Sequence, residues 1–173
     1  MKRFTIGNAD ILKGRLEIKV EKEEIMRILP HRGRMLLLDG VLITPEIVRG
    51  AFRVTPEVCD GHAFKGKMIL RGADILDMAA QTLGVWAGQY PDLQERIAFV
   101  YRYGETKFIK PAVPSDTLII EANPQDLTIN IRRSAAGEII RITGKNFSAR
   151  VGDRQIATVT LVELIIVNDN GSV

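Results

Sequence analysis

The sequence predicts an α+β fold in which one buried helix is packed against, or wrapped by, a long antiparallel sheet. Three observations carry this. From Ala73 to about Ala87 the chain is rich in Ala, Leu, Met and Gln and apolar nearly all round, as in a helix inside a fold. After Pro91 it turns to segments of β-branched and aromatic residues with alternating stretches. No internal repeat or low-complexity linker separates the two regions, and one early helix followed by a run of strands is an α+β order.

With 173 residues the chain is long enough for one domain with a sizeable core, taken as residues 1–173. Hydrophobic residues at 46% and charged residues at 26% are ordinary globular values, which excludes wholesale disorder. The start "MKRFTIGNAD" has no apolar run behind its basic residues, and no stretch approaches the ~20 apolar residues of a membrane helix. A soluble, cytoplasmic protein is expected, without membrane contact. The lone Cys59 cannot form an internal disulfide. Lys and Arg exceed Asp and Glu by 24 to 21, a net charge of +3, too little and too scattered to argue for nucleic acid.

In chain order, Glu21 to Leu29 places Ile25, Ile28 and Leu29 at helical spacing and Pro30 ends the pattern, predicting a short amphipathic helix. "MLLLDGVLI" reads as strand material broken at Asp39-Gly40, "IVRGAFRV" as a second strand and "TPEVCDGH" as turns. On the central helix Ile75, Leu76, Ala79, Leu83 and Trp86 form one apolar stripe, while Met78, Ala80, Val85 and Ala87 leave the other side apolar too. Beyond Pro91, "RIAFVYRYGETKF", "DTLIIEA", "LTINIRR", "EIIRITGKNFSARV" and "RQIATVTLVELIIV" read as strands, with a tight turn at Gly152-Asp153 and a frayed tail from 168 to 173. A sheet this long on one helix leaves an edge strand to cover, which suggests a homodimer.

The stretch "GHAFKGKMILRGADILDMAAQ" holds the candidate chemistry. His62 lies on a loop before the central helix; histidine is the side chain most easily poised to exchange a proton near neutral pH, though a loop histidine is more often structural. Asp74, Asp77 and Gln81 fall at i, i+3 and i+7, and either form the wet stripe of the helix or place a carboxyl among apolar neighbours. A carboxyl so lodged holds its proton more tightly and can act as a general acid. Gly72 lies at the helix start, where unpaired N–H groups can bind an oxygen as it gains charge, or serves only as a turn residue. Two histidines and one cysteine make no recognisable zinc set, and no nucleophile elbow, Walker loop or dinucleotide fingerprint is present. His31, in "LPHRGRM", is given a structural role.

"LPHRGRMLLLDGV", "GHAFKGKMILRGADILDMAAQ" and "YGETKFIKPAVPSDTL" resemble, in the same order, three segments of the bacterial 3-hydroxyacyl-[acyl-carrier-protein] dehydratases, and the resemblance covers about residues 20 to 167. It implies a hot-dog fold, a long central helix wrapped by a curved antiparallel sheet, in a homodimer or trimer of dimers whose protomers share two active sites. It implies that His62 removes the C2 proton of a 3-hydroxyacyl thioester and that Asp77 of the other subunit protonates the leaving C3 hydroxyl. Gly72 matches the glycine whose N–H polarises the thioester carbonyl. Two departures stand out: Arg71 replaces the usual proline before Gly72, and Ala63-Phe64 lengthens the interval from His62 to Asp77 by one residue.

The expected activity is dehydration of 3-hydroxyacyl thioesters on acyl carrier protein to trans-2-enoyl thioesters, in fatty acid or related acyl-chain synthesis, with no metal or redox cofactor. A hot-dog thioesterase or a catalytically weak acyl-thioester-binding protein are the alternatives. Arg71, Gln81, Arg132 and Arg133 are the candidate substrate- and carrier-binding residues, with Lys65 a further basic candidate for docking an acidic carrier.

Overall fold

A computed structural model of the chain describes residues 2–94, 96–135 and 137–166. The first third contains β1 (Lys2–Ile6), α1 (Asn8–Leu12), β2 (Ile18–Glu21), α2 (Lys22–Ile28), β3 (Gly40–Ile43) and β4 (Val48–Arg53). A small hairpin, β5 (Ala63–Phe64) and β6 (Lys67–Met68), precedes the long helix α3 (Gly72–Ala87). Then come β7 (Ala98–Tyr103), β8 (Thr106–Phe108), β9 (Thr117–Ala122), β10 (Leu127–Ser134), β11 (Gly137–Val151) and β12 (Arg154–Ile166).

The spine of the sheet is the antiparallel pair β11 and β12, joined by a tight turn at Gly152, whose φ of 56° is a conformation glycine adopts without strain. One edge of β11 is shared: its first half pairs β10, and Ser148 to Arg150 pairs β9. β10 continues to β1, whereas β9 continues through β4 and β3 to β2. On the far side, β12 pairs β7 near Ile166 and β8 near Ala157.

This sheet curls around α3, which packs against β3, β4, β7, β9, β11 and β12. The expected α+β hot-dog architecture is thus the observed one. Met78, Ala79, Leu83, Val85 and Trp86 are buried from all sides, because a helix inside a curled sheet has no outward face to keep polar. At its C-terminal end, the Trp86 Nε1–H donates to Asn8 Oδ1 at 2.9 Å, and Ile11 and Leu12 of α1 are buried beside the same core. Among the described residues no helix is long and apolar enough to cross a membrane.

Leu36 to Leu38, expected to begin a strand, is not one. The Leu37 N–H donates to the side chain of Gln81 at 2.9 Å instead of to a neighbouring strand, and β3 starts only at Gly40. The expectation for the tail 168–173 falls outside the described residues.

Along β7 the outer edge has no partner strand among the described residues, and Phe99, Val100 and Tyr101 are exposed on its two faces. An unpaired apolar edge of this kind is a template for another strand.

Candidate functional site

The site is built around the first two turns of α3. Arg71 precedes the helix with φ −67° and ψ 144°, values that a proline ring imposes on φ, so arginine here keeps the backbone path of the residue it replaces. Its guanidinium forks onto the Asp74 carboxylate, Nε to Oδ2 at 2.9 Å and an Nη to Oδ1 at 2.6 Å. Asp74 is nearly fully buried, and this bidentate contact is what its charge requires there. Gly72 follows at the first helical position, where a Cβ would sit 2.8 Å from the Phe108 ring carbon Cζ of β8. A larger residue would displace the ring that lies over the helix start.

Asp77 is one turn further on and half-buried. The Gln81 Nε2–H₂ donates to Asp77 Oδ2 at 2.8 Å and to the Met35 carbonyl at 2.8 Å, while Gln81 Oε1 accepts from the Leu37 N–H. A glutamine only 1% exposed therefore ties the carboxyl to the loop after α2. The wet-stripe alternative fails, because Asp74 and Gln81 face the interior. Tyr103, at the end of β7, flanks the same carboxyl from the sheet. Burial first, and then the Asp77 charge, push its hydroxyl up to about 12.

The segment after α2 runs antiparallel along α3. Ile28 lies where a Cβ on Gly88 would meet it at 2.4 Å, Leu29 where one on Gly84 would at 3.1 Å, and Met35 and Leu37 reach Gln81. The Arg32 guanidinium fixes this segment by donating to the carbonyls of Met26, Leu29 and His31 at 2.6–2.7 Å. Between this segment, α3, β7 and β12 lies a cavity of about 860 Å³. Leu29, Ala80, Gly84, Val100, Ile142 and Leu164 give it apolar walls, and Asp77, Gln81 and His31 line it together with the charged Glu24, Arg27, Arg32 and Arg96. From Asp77 to Gly88 it follows α3 for roughly 16 Å, at 1.5 Å per residue.

His62 does not line this cavity; it is exposed at the base of the β5–β6 hairpin. Lys65 and Gly66, at φ 48° and 74°, make the two-residue turn, so the lengthened interval is taken up by a closed hairpin. The Ile69 N–H donates to the His62 carbonyl, and His62 Nδ1 lies 2.8 Å from the Ile69 carbonyl. A carbonyl only accepts, so Nδ1 carries the hydrogen, and Nε2 is the ring nitrogen left to exchange a proton.

Arg132 and Arg133 stand apart from this group within one chain. Arg133 pairs with Glu138 and lies 5.8 Å from the Phe4 ring centroid, at the end of the sheet where β12 reaches Ile166. Phe108, over Gly72, pairs nine residues back along β12, about 30 Å away. Lys65 and Lys67 are exposed on the same hairpin as His62, with Phe64 and Met68. Sequence reasoning missed the place of His31 and Tyr103 in the site, since both reach it from segments distant in the chain.

No protein-family model matches the chain. The 3-hydroxyacyl-[acyl-carrier-protein] dehydratase FabZ of Enterococcus faecalis is 32% identical over 152 residues, which span 86% of this chain and 99% of that protein. FabZ of Klebsiella pneumoniae is 37% identical over 108 residues, 57% of this chain and 69% of its own length. Among solved structures, the dehydratase heterocomplex ApeI:P from Xenorhabdus doucetiae shares the fold with a TM-score of 0.58 at 16% identity, covering 84% of this chain and 91% of that one. A near full-length match at this identity, on a helix wrapped by a curled antiparallel sheet, means that the chain belongs to the FabZ-like 3-hydroxyacyl-[acyl-carrier-protein] dehydratase family of the hot-dog fold.

Proposed function

We propose that the protein is a hydro-lyase that converts 3-hydroxyacyl thioesters on acyl carrier protein into trans-2-enoyl thioesters. The observation that carries this is Asp77, held by Gln81 on the wall of a cavity with apolar stretches along α3, long enough for an acyl chain. The base comes from a second copy. Two protomers join along their β7 edges, and the exposed His62 of one faces the Asp77 cavity of the other.

In this reading His62 Nε2 takes the C2 proton, and the C–H electron pair becomes the C2=C3 bond. The C3–O bond breaks with its pair on oxygen, and the Asp77 proton completes a water molecule. The Gly72 N–H, left without an intrahelical acceptor at the first position of α3, binds the thioester oxygen while it carries enolate charge. The Arg71 conformation, with φ in the range of a proline, and the closed β5–β6 hairpin support the reading. Lys65 and Lys67 on the hairpin supply positive charge for an acidic carrier next to the base.

Mass spectrometry of 3-hydroxyacyl and saturated acyl chains on carrier protein tests the reaction. Loss of water from the hydroxyacyl species alone is expected; release of free carrier from both makes the protein a thioesterase, and no change in either makes it a binding protein. Asp77→Asn and His62→Ala each lower the rate about 10²- to 10⁴-fold with the dimer intact. Mixed and re-associated, the two inactive variants recover roughly a quarter of the wild-type rate, because half of the dimers are mixed and each has one intact site. No recovery from the mixture would refute a site shared between subunits.

A further inference from the structure

The cavity that Asp77 lines is polar at both ends, and the dehydration scheme uses only one of them. The place of the second end follows from the packing of α2 on α3. Ile28 lies at Gly88 and Leu29 at Gly84, so the part of α2 before Ile28 stands by the C-terminal end of α3, about three turns from Asp77. Glu24, Arg27 and Gln89 line the cavity there. The Arg32 guanidinium reaches back to the same end, since it donates to the carbonyls of Met26 and Leu29. Arg96 comes from the opposite wall: it precedes Ala98, which pairs with Ile166, two residues past the Leu164 that stands beside Gly84. Three guanidinium groups thus meet one carboxylate in the lining of this end. Arg27 makes no ion pair among the described residues, and Arg32 is bonded to carbonyls, which leave its charge in place. Arg96 shares Glu138 with Arg133, so one carboxylate serves two arginines. Between the ends, Ala80, Gly84 and Gly88, four residues apart on α3, form an apolar stretch with Leu29, Ile142 and Leu164. An alkyl chain that starts at Asp77 and follows this stretch comes to its end among arginines, where a methyl group gains nothing and an anion gains charge pairing.

We propose that the site takes 3-hydroxyacyl chains that end in a carboxylate, with Arg27 and Arg96 selecting for that end. The inference rests on the dehydratase reading and names the class of acyl chain within it. No bond is made or broken at the far end; the arginines hold the carboxylate and thereby set which chains are used. A length requirement follows. In a chain too short to reach Arg27 the carboxylate lies in the apolar stretch, where an unpaired charge is strongly disfavoured. The preference between carboxylate and methyl ends therefore reverses as the chain lengthens.

The test measures kcat/KM of the wild type on two matched series of 3-hydroxyacyl carrier proteins, one ending in methyl and one in carboxylate, at increasing chain length. A methyl preference of more than about 10-fold is expected for short chains. It turns into a carboxylate preference of roughly 3- to 10-fold once the chain spans the apolar stretch, and this preference falls as salt is raised. Arg27→Gln lowers the long-chain ratio of carboxylate to methyl several-fold, and Arg27→Glu returns it to a methyl preference. Arg96 is left in place because Glu138 depends on it. A methyl preference at every length overturns the proposal, as does a carboxylate preference that neither salt nor Arg27→Glu reduces. Should Arg27→Glu not fold, Arg27→Gln and the salt dependence of the wild type decide. If the wild type dehydrates neither series, the dehydratase reading has failed and this inference with it; a wild type that dehydrates the methyl series and rejects carboxylates throughout sinks the inference alone.

Discussion

Replacing Gln81 by leucine removes three hydrogen bonds at almost constant volume, which makes its cost calculable. The Leu37 N–H is left buried without an acceptor, at about 1–3 kcal/mol; the Met35 carbonyl, next to an exposed side chain, finds water and loses about 1 kcal/mol or less. Asp77 loses the hydrogen bond from Gln81, worth about 0.5–1.5 kcal/mol, part of which solvent restores because the carboxyl is only half-buried. The leucine gives back about 1 kcal/mol of apolar burial. The net is about 1–3 kcal/mol, or a fall in Tm of roughly 3–10 °C for a chain of this size. Thermal unfolding at fixed protein concentration measures it, because association of the proposed dimer would be linked to stability. Gln81→Glu keeps an acceptor for Leu37 but sets a second carboxylate against Asp77, so it should be worse in rate than in stability. A Tm for Gln81→Leu within 1 °C of wild type would refute the view that this side chain couples the loop to the acid.

Three further outcomes follow from the same contacts. Asn8→Ala strips the buried Trp86 indole of its acceptor, costs about 1–3 kcal/mol, and shifts the emission of the only tryptophan in the chain, read by fluorescence. Gly72→Ala brings a Cβ to 2.8 Å from Phe108; the ring is displaced from the helix start, and the rate should fall more than stability, whereas Gly72→Ala with Phe108→Leu should recover part of it. Tyr103 carries a hydroxyl raised from 10.0 to about 12. The folded state therefore binds its proton more tightly than the unfolded chain. Its contribution is complete below pH 10 and is lost as pH rises toward 12; Tyr103→Phe should flatten that part of the stability profile, followed by tyrosinate absorbance and denaturant unfolding.

What could be read from the sequence depended on how local its cause was. The central helix, expected from Ala73 to about Ala87, runs Gly72–Ala87, and the strand-rich region after Pro91 forms the long strands of the sheet. Both were legible because burial on all sides and β-branched runs leave their mark within one element. β1 and α1 went unread: each has five residues, too few for a period to show, and β1 is a strand only because β10 is there to pair with it. Gln81 was read by local spacing as a candidate for the wet side of α3, yet its partners Met35 and Leu37 lie 46 and 44 residues earlier and are backbone groups that carry no side-chain signal. His31 was set aside for the same reason. Its place in the cavity lining exists only after α2 has folded back along α3.

The pairing of β1 with β10 has a consequence for how the chain is made. Thr5 meets Asn130, 125 positions later in the chain. At ribosomal rates of about 5–20 residues per second, roughly 6–25 s separate the synthesis of the two strands. Throughout that interval Ile6, Ile11 and Leu12, all destined for the interior, have no sheet to enter. β1 is thus made well before the strand it docks on, and it waits as an apolar segment open to chaperones or to other nascent chains. Deleting residues 2–12 should therefore change the yield of soluble protein as well as its stability, since it removes the segment that waits and also the cap over Trp86.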